Sequence, residues 1–108
     1  MSSFHALDVA LEVVRAVRAP LQRIAVKDRD LADQLLRAAQ SVPLNLAEAG
    51  GRAGADRRRC FRIAYGSQRE LRACLRVACD LGYVGADDVA EVDRLADRVG
   101  AMLWPLAR

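Results

Sequence analysis

Apolar residues recur along the chain at intervals of three and four, the spacing that returns a side chain to one face of an α-helix. Leu7, Leu11, Val14, Val17, Leu21 and Ile24 form a first row, and Leu31, Leu35, Ala38, Val42, Leu46 and Ala49 a second. A third runs through Phe61, Ala64, Gln68, Leu71, Leu75 and Ala78. The fourth takes Val89, Val92, Ala96, Val99, Leu103 and Leu106, with Leu95 and Met102 widening it beyond a coiled-coil seam.

Breaks between the rows carry helix-end signals. Ser3 is an N-cap candidate for the first helix, and Lys27-Asp28-Arg29-Asp30 supplies capping carboxylates for the second. Gly50, Gly51 and Gly54 are expected to provide positive backbone angles that stop the second helix, with Asp56 capping the third. Gly82 and Gly85 bracket the last turn, placing the fourth start near Asp87. Pro20 is expected to kink or end the first helix, and Pro43 to bend the second near Ala39 to Val42, because proline removes one backbone hydrogen bond and crowds the preceding turn. Short connections make successive helices antiparallel. The pattern therefore predicts an all-α, up-down-up-down four-helix bundle occupying residues 1–108 as a single domain.

Composition agrees and narrows the classes. The chain has 108 residues, 53% hydrophobic and 29% charged, with 7 Gly, 3 Pro and 5% aromatics, too few turn and strand formers for an all-β fold. Charged residues interrupt every stretch of the roughly 20 residues a membrane-spanning helix needs, and Met1 to His5 lack the basic-then-apolar pattern of a secretory signal, so a cytoplasmic location without membrane association is expected. Cys60, Cys74 and Cys79 are odd in number and share one helix. They are expected to be reduced thiols packed as small hydrophobes.

Catalytic chemistry finds little support. His5 is the one histidine and lies in a first turn, Cys74 and Cys79 point about 140° apart at 100° per residue, and the glycines at 50, 51 and 54 lack the strand-loop-helix setting of a phosphate loop. Asp87, Asp88 and Glu91 suit a helix start better than an acid/base pair. The expectation is a non-enzymatic protein with no catalytic residues, metal or cofactor.

Charge is distributed unevenly. Residues 1–51 balance, residues 52–76 carry a net +6, and residues 77–108 a net −3. Of 17 basic residues, 16 are Arg, whose planar fork suits phosphate; a GC-rich coding sequence also favours Arg, so placement outweighs count. On the third helix Arg58, Arg62, Arg69, Arg72 and Arg76 fall within an arc of about 80°, with Tyr65 inside it, roughly 120° from the apolar row. Arg52, Arg57 and Arg59 add charge at one end. These nine residues are the candidate nucleic-acid-binding site, the arginines tracking phosphates of RNA or DNA and Tyr65 stacking on a base. The rival reading pairs the same arginines with Asp87, Asp93 and Asp97 of the fourth helix. Asn45, Glu48, Ser67 and Gln68 form either a buried polar site or mutual hydrogen bonds that also serve the carbonyl freed by Pro43. Trp104 is expected to anchor the core or a subunit contact.

The segment Gln34-Leu35-Leu36-Arg37-Ala38-Ala39-Gln40-Ser41-Val42-Pro43-Leu44-Asn45-Leu46-Ala47-Glu48, followed by Gly51-Arg52 and by Phe61-Arg62-Ile63-Ala64-Tyr65-Gly66-Ser67-Gln68-Arg69-Glu70-Leu71, resembles the four-helix-bundle proteins encoded within intervening sequences of bacterial 23S rRNA genes. The resemblance spans residues 31–103, including Leu81-Gly82-Tyr83-Val84, and departs from the family pattern at Ala49, where glycine is usual. It extends to the accessory variability proteins of diversity-generating retroelements. That similarity implies a barrel-like homopentamer that binds nucleic acid and, in the retroelement setting, a reverse transcriptase. The alternative it leaves open is a structural adaptor for a protein partner, without nucleic-acid affinity of its own.

Overall fold

The structure, a computed structural model, describes residues 3–108, with side chains from His5 onward. Four helices follow in order: α1 (Ser3–Lys27), α2 (Arg29–Ala49), α3 (Gly54–Asp80) and α4 (Ala86–Ala107). Each packs on its neighbours in sequence and α4 closes against α1, giving the predicted four-helix bundle, 42 × 23 × 20 Å. At 1.5 Å per residue the 27-residue α3 runs nearly the full long axis.

Three of the four predicted faces are the buried ones. On α3, Phe61, Ala64, Gln68, Leu71, Leu75 and Ala78 are all buried, and α2 buries Leu35, Ala38, Val42, Leu46 and Ala49 as expected. Helix α1 differs. Its core face is Ala6, Val9, Ala10, Val13, Val17, Pro20 and Ile24, while Leu7, Val14 and Leu21 sit at the margin and Leu11 is exposed. The small Ala6 and Ala10 let α1 approach closely, and its apolar band is wide enough that the bulky leucines flank the contact. Cys60 and Cys74 are buried and Cys79 half-buried, all as free thiols; burial, reinforced by the charge of Glu70, pushes the Cys74 thiol above its ordinary pKa.

Helix ends depart from expectation in several places. Helices α1 and α2 both continue through their prolines, so of the two outcomes expected at Pro20 an end to α1 is ruled out. Gly50 is right-handed at φ −61, and the positive angles belong to Gly54 (φ 58), which opens α3, and Gly82 (φ 77), in the last turn. Ala53 precedes α3 without a side-chain cap, so Asp56 lies in the first turn, where a carboxylate favours the helix dipole. Helix α4 begins at Ala86, with the Gly85 N–H donating to the Asp88 carboxylate at 2.8 Å. Asp28 does cap α2, accepting from the Leu31 N–H at 3.0 Å, and its other oxygen accepts from the Tyr83 phenol at 3.1 Å. That pair ties the two turns at one end of the bundle. The N-cap expected at Ser3 lies outside the described side chains.

Candidate nucleic-acid interface

The arginines of α3 stand outside the core, as helical spacing requires, but they do not share one fate. Two are spent on α4. Arg72 donates from Nε and Nη2 to Asp93 (2.9 and 3.3 Å) and from Nη1 to Asp97 (3.0 Å), so one guanidinium bridges two carboxylates one turn apart. These bonds, Asp93's first, hold the Arg72 pKa above its ordinary value against a partial burial that would lower it. Arg62 Nε donates at 2.9 Å to the Ala107 carbonyl, one of the acceptors a helix leaves unpaired at its C-terminus.

Arg58, Arg69 and Arg76 are exposed and make no ion pair among the described residues. Over the 18 steps from Arg58 to Arg76 they span about 27 Å along the helix. Tyr65, Arg69, Arg72, Ala73 and Arg76 line a shallow open groove. At the N-terminal end, Arg52 is paired with Glu48, its Nε 3.0 Å from Oε1; that hydrogen bond is the main cause of its raised pKa. Arg57 lies 5.4 Å over the Phe61 ring, a cation–π contact, and Arg59 shares a polar groove with Asn45, Glu48, Asp56 and Ile63. Of the rival pairings with α4, Asp93 and Asp97 are made, through Arg72 alone.

Tyr65 sits half-buried against Trp104, ring centroids 5.5 Å apart and tilted by 48°. Trp104 is half-exposed and also lies under Arg108, so of its two expected roles the core anchor is ruled out.

The four polar residues of the inner faces separate. Asn45 Nδ2 donates to the Ser41 carbonyl (2.8 Å) and its hydroxyl (3.1 Å), and Ser67 bonds the same hydroxyl at 2.7 Å, linking α2 to α3 through Ser41. Asn45 thus serves Ser41, not the Ala39 carbonyl that Pro43 frees, and Glu48 turns out to Arg52. Gln68 joins neither set. It is 4% exposed, faces Gly100 of α4, and its Oε1 has no hydrogen-bond partner. Among the described residues no group of three or more His, Cys, Asp or Glu side chains is placed to hold a metal, and no helix is long and apolar enough to cross a membrane.

Residues 4–104 match the family described as 23S rRNA-intervening sequence protein. The chain belongs to that family. The bundle superimposes with a TM-score of 0.84, at 20% identity, on a Bacteroides thetaiotaomicron protein of unknown function from the S23 ribosomal protein family, covering 95% of this chain and 98% of that one. No curated protein matches the sequence. At that identity the likeness to the solved structure speaks for the fold, so the chemistry of the surface rests on this chain's own side chains.

Proposed function

We propose that this bundle is a non-enzymatic nucleic-acid-binding protein, holding the phosphate backbone of RNA or DNA along α3. The observation that carries the reading is the row Arg58, Arg69 and Arg76: three exposed guanidiniums without carboxylate partners, aligned over about 27 Å of one helix. Unpaired arginines break no ion pair to reach a phosphate, and each presents two donors to an oxygen pair. Arg59, about 100° round the helix from Arg58, lies in the α2–α3 groove and adds charge near one end of the row. Arg62 and Arg72 belong to the framework, fixing α4 beside the row.

The experiment is fluorescence anisotropy of labelled single-stranded RNA and DNA with the wild type and an Arg58→Glu/Arg69→Glu/Arg76→Glu variant. Charge-assisted hydrogen bonds contribute about 1.5–3 kcal/mol each, so the variant should lose on the order of a thousandfold in affinity at about 50 mM salt. The slope of log affinity against log salt should flatten by about two, at roughly 0.7 per phosphate contact on a single strand. Equal binding by both proteins overturns the reading.

A second reading has an observation of its own. Leu36, Leu44, Ile63 and Val77 are exposed on α2 and α3, away from the arginine row, and such apolar groups suit contacts with a second copy or a protein partner. The pentamer and the reverse-transcriptase adaptor suggested by family resemblance both fall here. Light-scattering mass separates self-association from a monomer. An adaptor would show no affinity for RNA or DNA even at low salt.

A further inference from the structure

The three free arginines of α3 are unevenly spaced. Arg58 and Arg69 stand close to three whole turns apart, and Arg69 and Arg76 close to two, so all three leave the helix within about 20° of one line. At 1.5 Å per residue the two intervals along that line are about 16.5 Å and about 10.5 Å. Both intervals are held rigidly, because α3 is one continuous 27-residue helix without an internal proline, packed against α2 and α4. The side chains that stand within the gaps are engaged elsewhere. Arg62 is turned to the Ala107 carbonyl and Tyr65 to Trp104 in the wider gap, and Arg72 is held by Asp93 and Asp97 in the narrower.

We infer that the ligand of this row is a double-stranded nucleic acid, with α3 lying across its grooves and Arg58, Arg69 and Arg76 each on a different backbone ridge. The inference deepens the proposed function and rests on it. Proteins that hold single strands combine a basic groove that follows the backbone with aromatic rings for the bases. Here the groove beside the row is shallow, and Tyr65, the ring on the line, is half-buried against Trp104. A duplex instead offers a stiff surface on which wide and narrow gaps alternate. The grooves of B-form DNA are about 12 Å and about 6 Å wide, and a phosphate's own width adds about 6 Å between the centres of facing rows, giving about 18 Å and about 12 Å. Each interval on α3 is shorter than its counterpart by about 1.5 Å, which long arginine side chains take up by splaying. Double-stranded RNA also pairs a wide groove with a narrow one, with major and minor exchanged. Contacts of this kind fix the position of the duplex and read its shape without reading its sequence.

The test moves one arginine without changing the charge. DNA and RNA duplexes of about 16 base pairs, longer than one helical turn of about 10.5, and their separated strands are titrated by anisotropy. The proteins are the wild type and an Arg69→Ala/Ala73→Arg variant, both positions being exposed on α3, with helical circular dichroism confirming the fold. The shift turns the intervals into about 22.5 Å and about 4.5 Å, which match neither groove. The wild type should bind duplex about tenfold tighter than strand, and the variant should lose about tenfold on duplex, the worth of one charge-assisted contact, with strand affinity unchanged. A preference confined to one of the two duplexes supports the inference and identifies the helical form. Duplex preference that survives the shift, equal loss on duplex and strand, or strands bound as tightly as duplex overturns the crossing geometry and leaves phosphate binding standing. No anisotropy change with any ligand at low salt overturns both.

Discussion

The two sets of arginines in the α3 band are chemically identical and structurally opposite. On its flanks, Arg62 and Arg72, about 40° to either side of Arg58, are consumed by a helix-end carbonyl and by two carboxylates. Along its centre, Arg58, Arg69 and Arg76 make no ion pair among the described residues. Helical spacing alone assigns all five to one arc. What separates them is the neighbouring helix, since Asp93 and Asp97 take Arg72, the Ala107 carbonyl takes Arg62, and the other three are left to solvent. A count of arginines thus overstates the charge available to a polyanion, and the free subset is what a ligand meets.

Reversing the central row tests the contrast most severely, with the thousandfold loss of nucleic-acid affinity given above. The groups that face α4 should respond in stability. Gln68→Leu removes the one unsatisfied buried side-chain group among the described residues and should raise the unfolding free energy by about 1–3 kcal/mol in urea titration. Arg62→Ala leaves the Ala107 carbonyl without its donor and should cost about 1 kcal/mol with the salt slope of binding intact. Asp93→Asn with Asp97→Asn converts a flanking arginine toward a central one: Arg72 becomes available and low-salt affinity should rise severalfold, for less than about 1 kcal/mol of stability because the pair is more than a third exposed. An unchanged affinity would mean that Arg72 cannot face the strand even when released.

The smallest effect concerns pH and lies far from the band. Burial, then the hydrogen bond to Asp28 and its charge, raises the Tyr83 phenol above its ordinary value of 10.0. The fold thus favours the neutral phenol. That contribution is complete below pH 10 and should disappear as pH rises through the higher folded value, so a Tyr83→Phe variant should show a shallower loss of stability in alkaline thermal melts than the wild type.

Much of the architecture was legible in the spacing of apolar residues, because on α2, α3 and α4 that spacing has one dominant row. On α1 it misled, since small residues at Ala6 and Ala10 do as much for packing as the leucines beside them. Pro20 read as a kink or an end and Pro43 as a bend within its helix; both sit inside continuous helices, so Pro20 does not end α1. For the surface, the azimuth of each arginine was readable and its partner was not. The Arg72 bridge joins residues 21 and 25 positions apart, and Asp93 and Asp97 competed on equal terms with Asp87 until the α3–α4 register was known. The environment of Gln68 was further out of reach: the glutamine was visible as a polar intruder on an apolar row, but Gly100, 32 residues away, gives it its setting.

One carboxylate has a consequence for how the molecule comes apart. Asp28 holds the first turn of α2 with one oxygen and the loop before α4 with the other. Those two connections, 55 residues apart, are therefore a single clasp at one pole, whereas the α2–α3 connection at the opposite pole has no such tie to α1 or α4 among the described hydrogen bonds. Local opening should follow that polarity, with amide protons at the clasped pole exchanging in concert and those near Gly51 to Ala53 exchanging on their own.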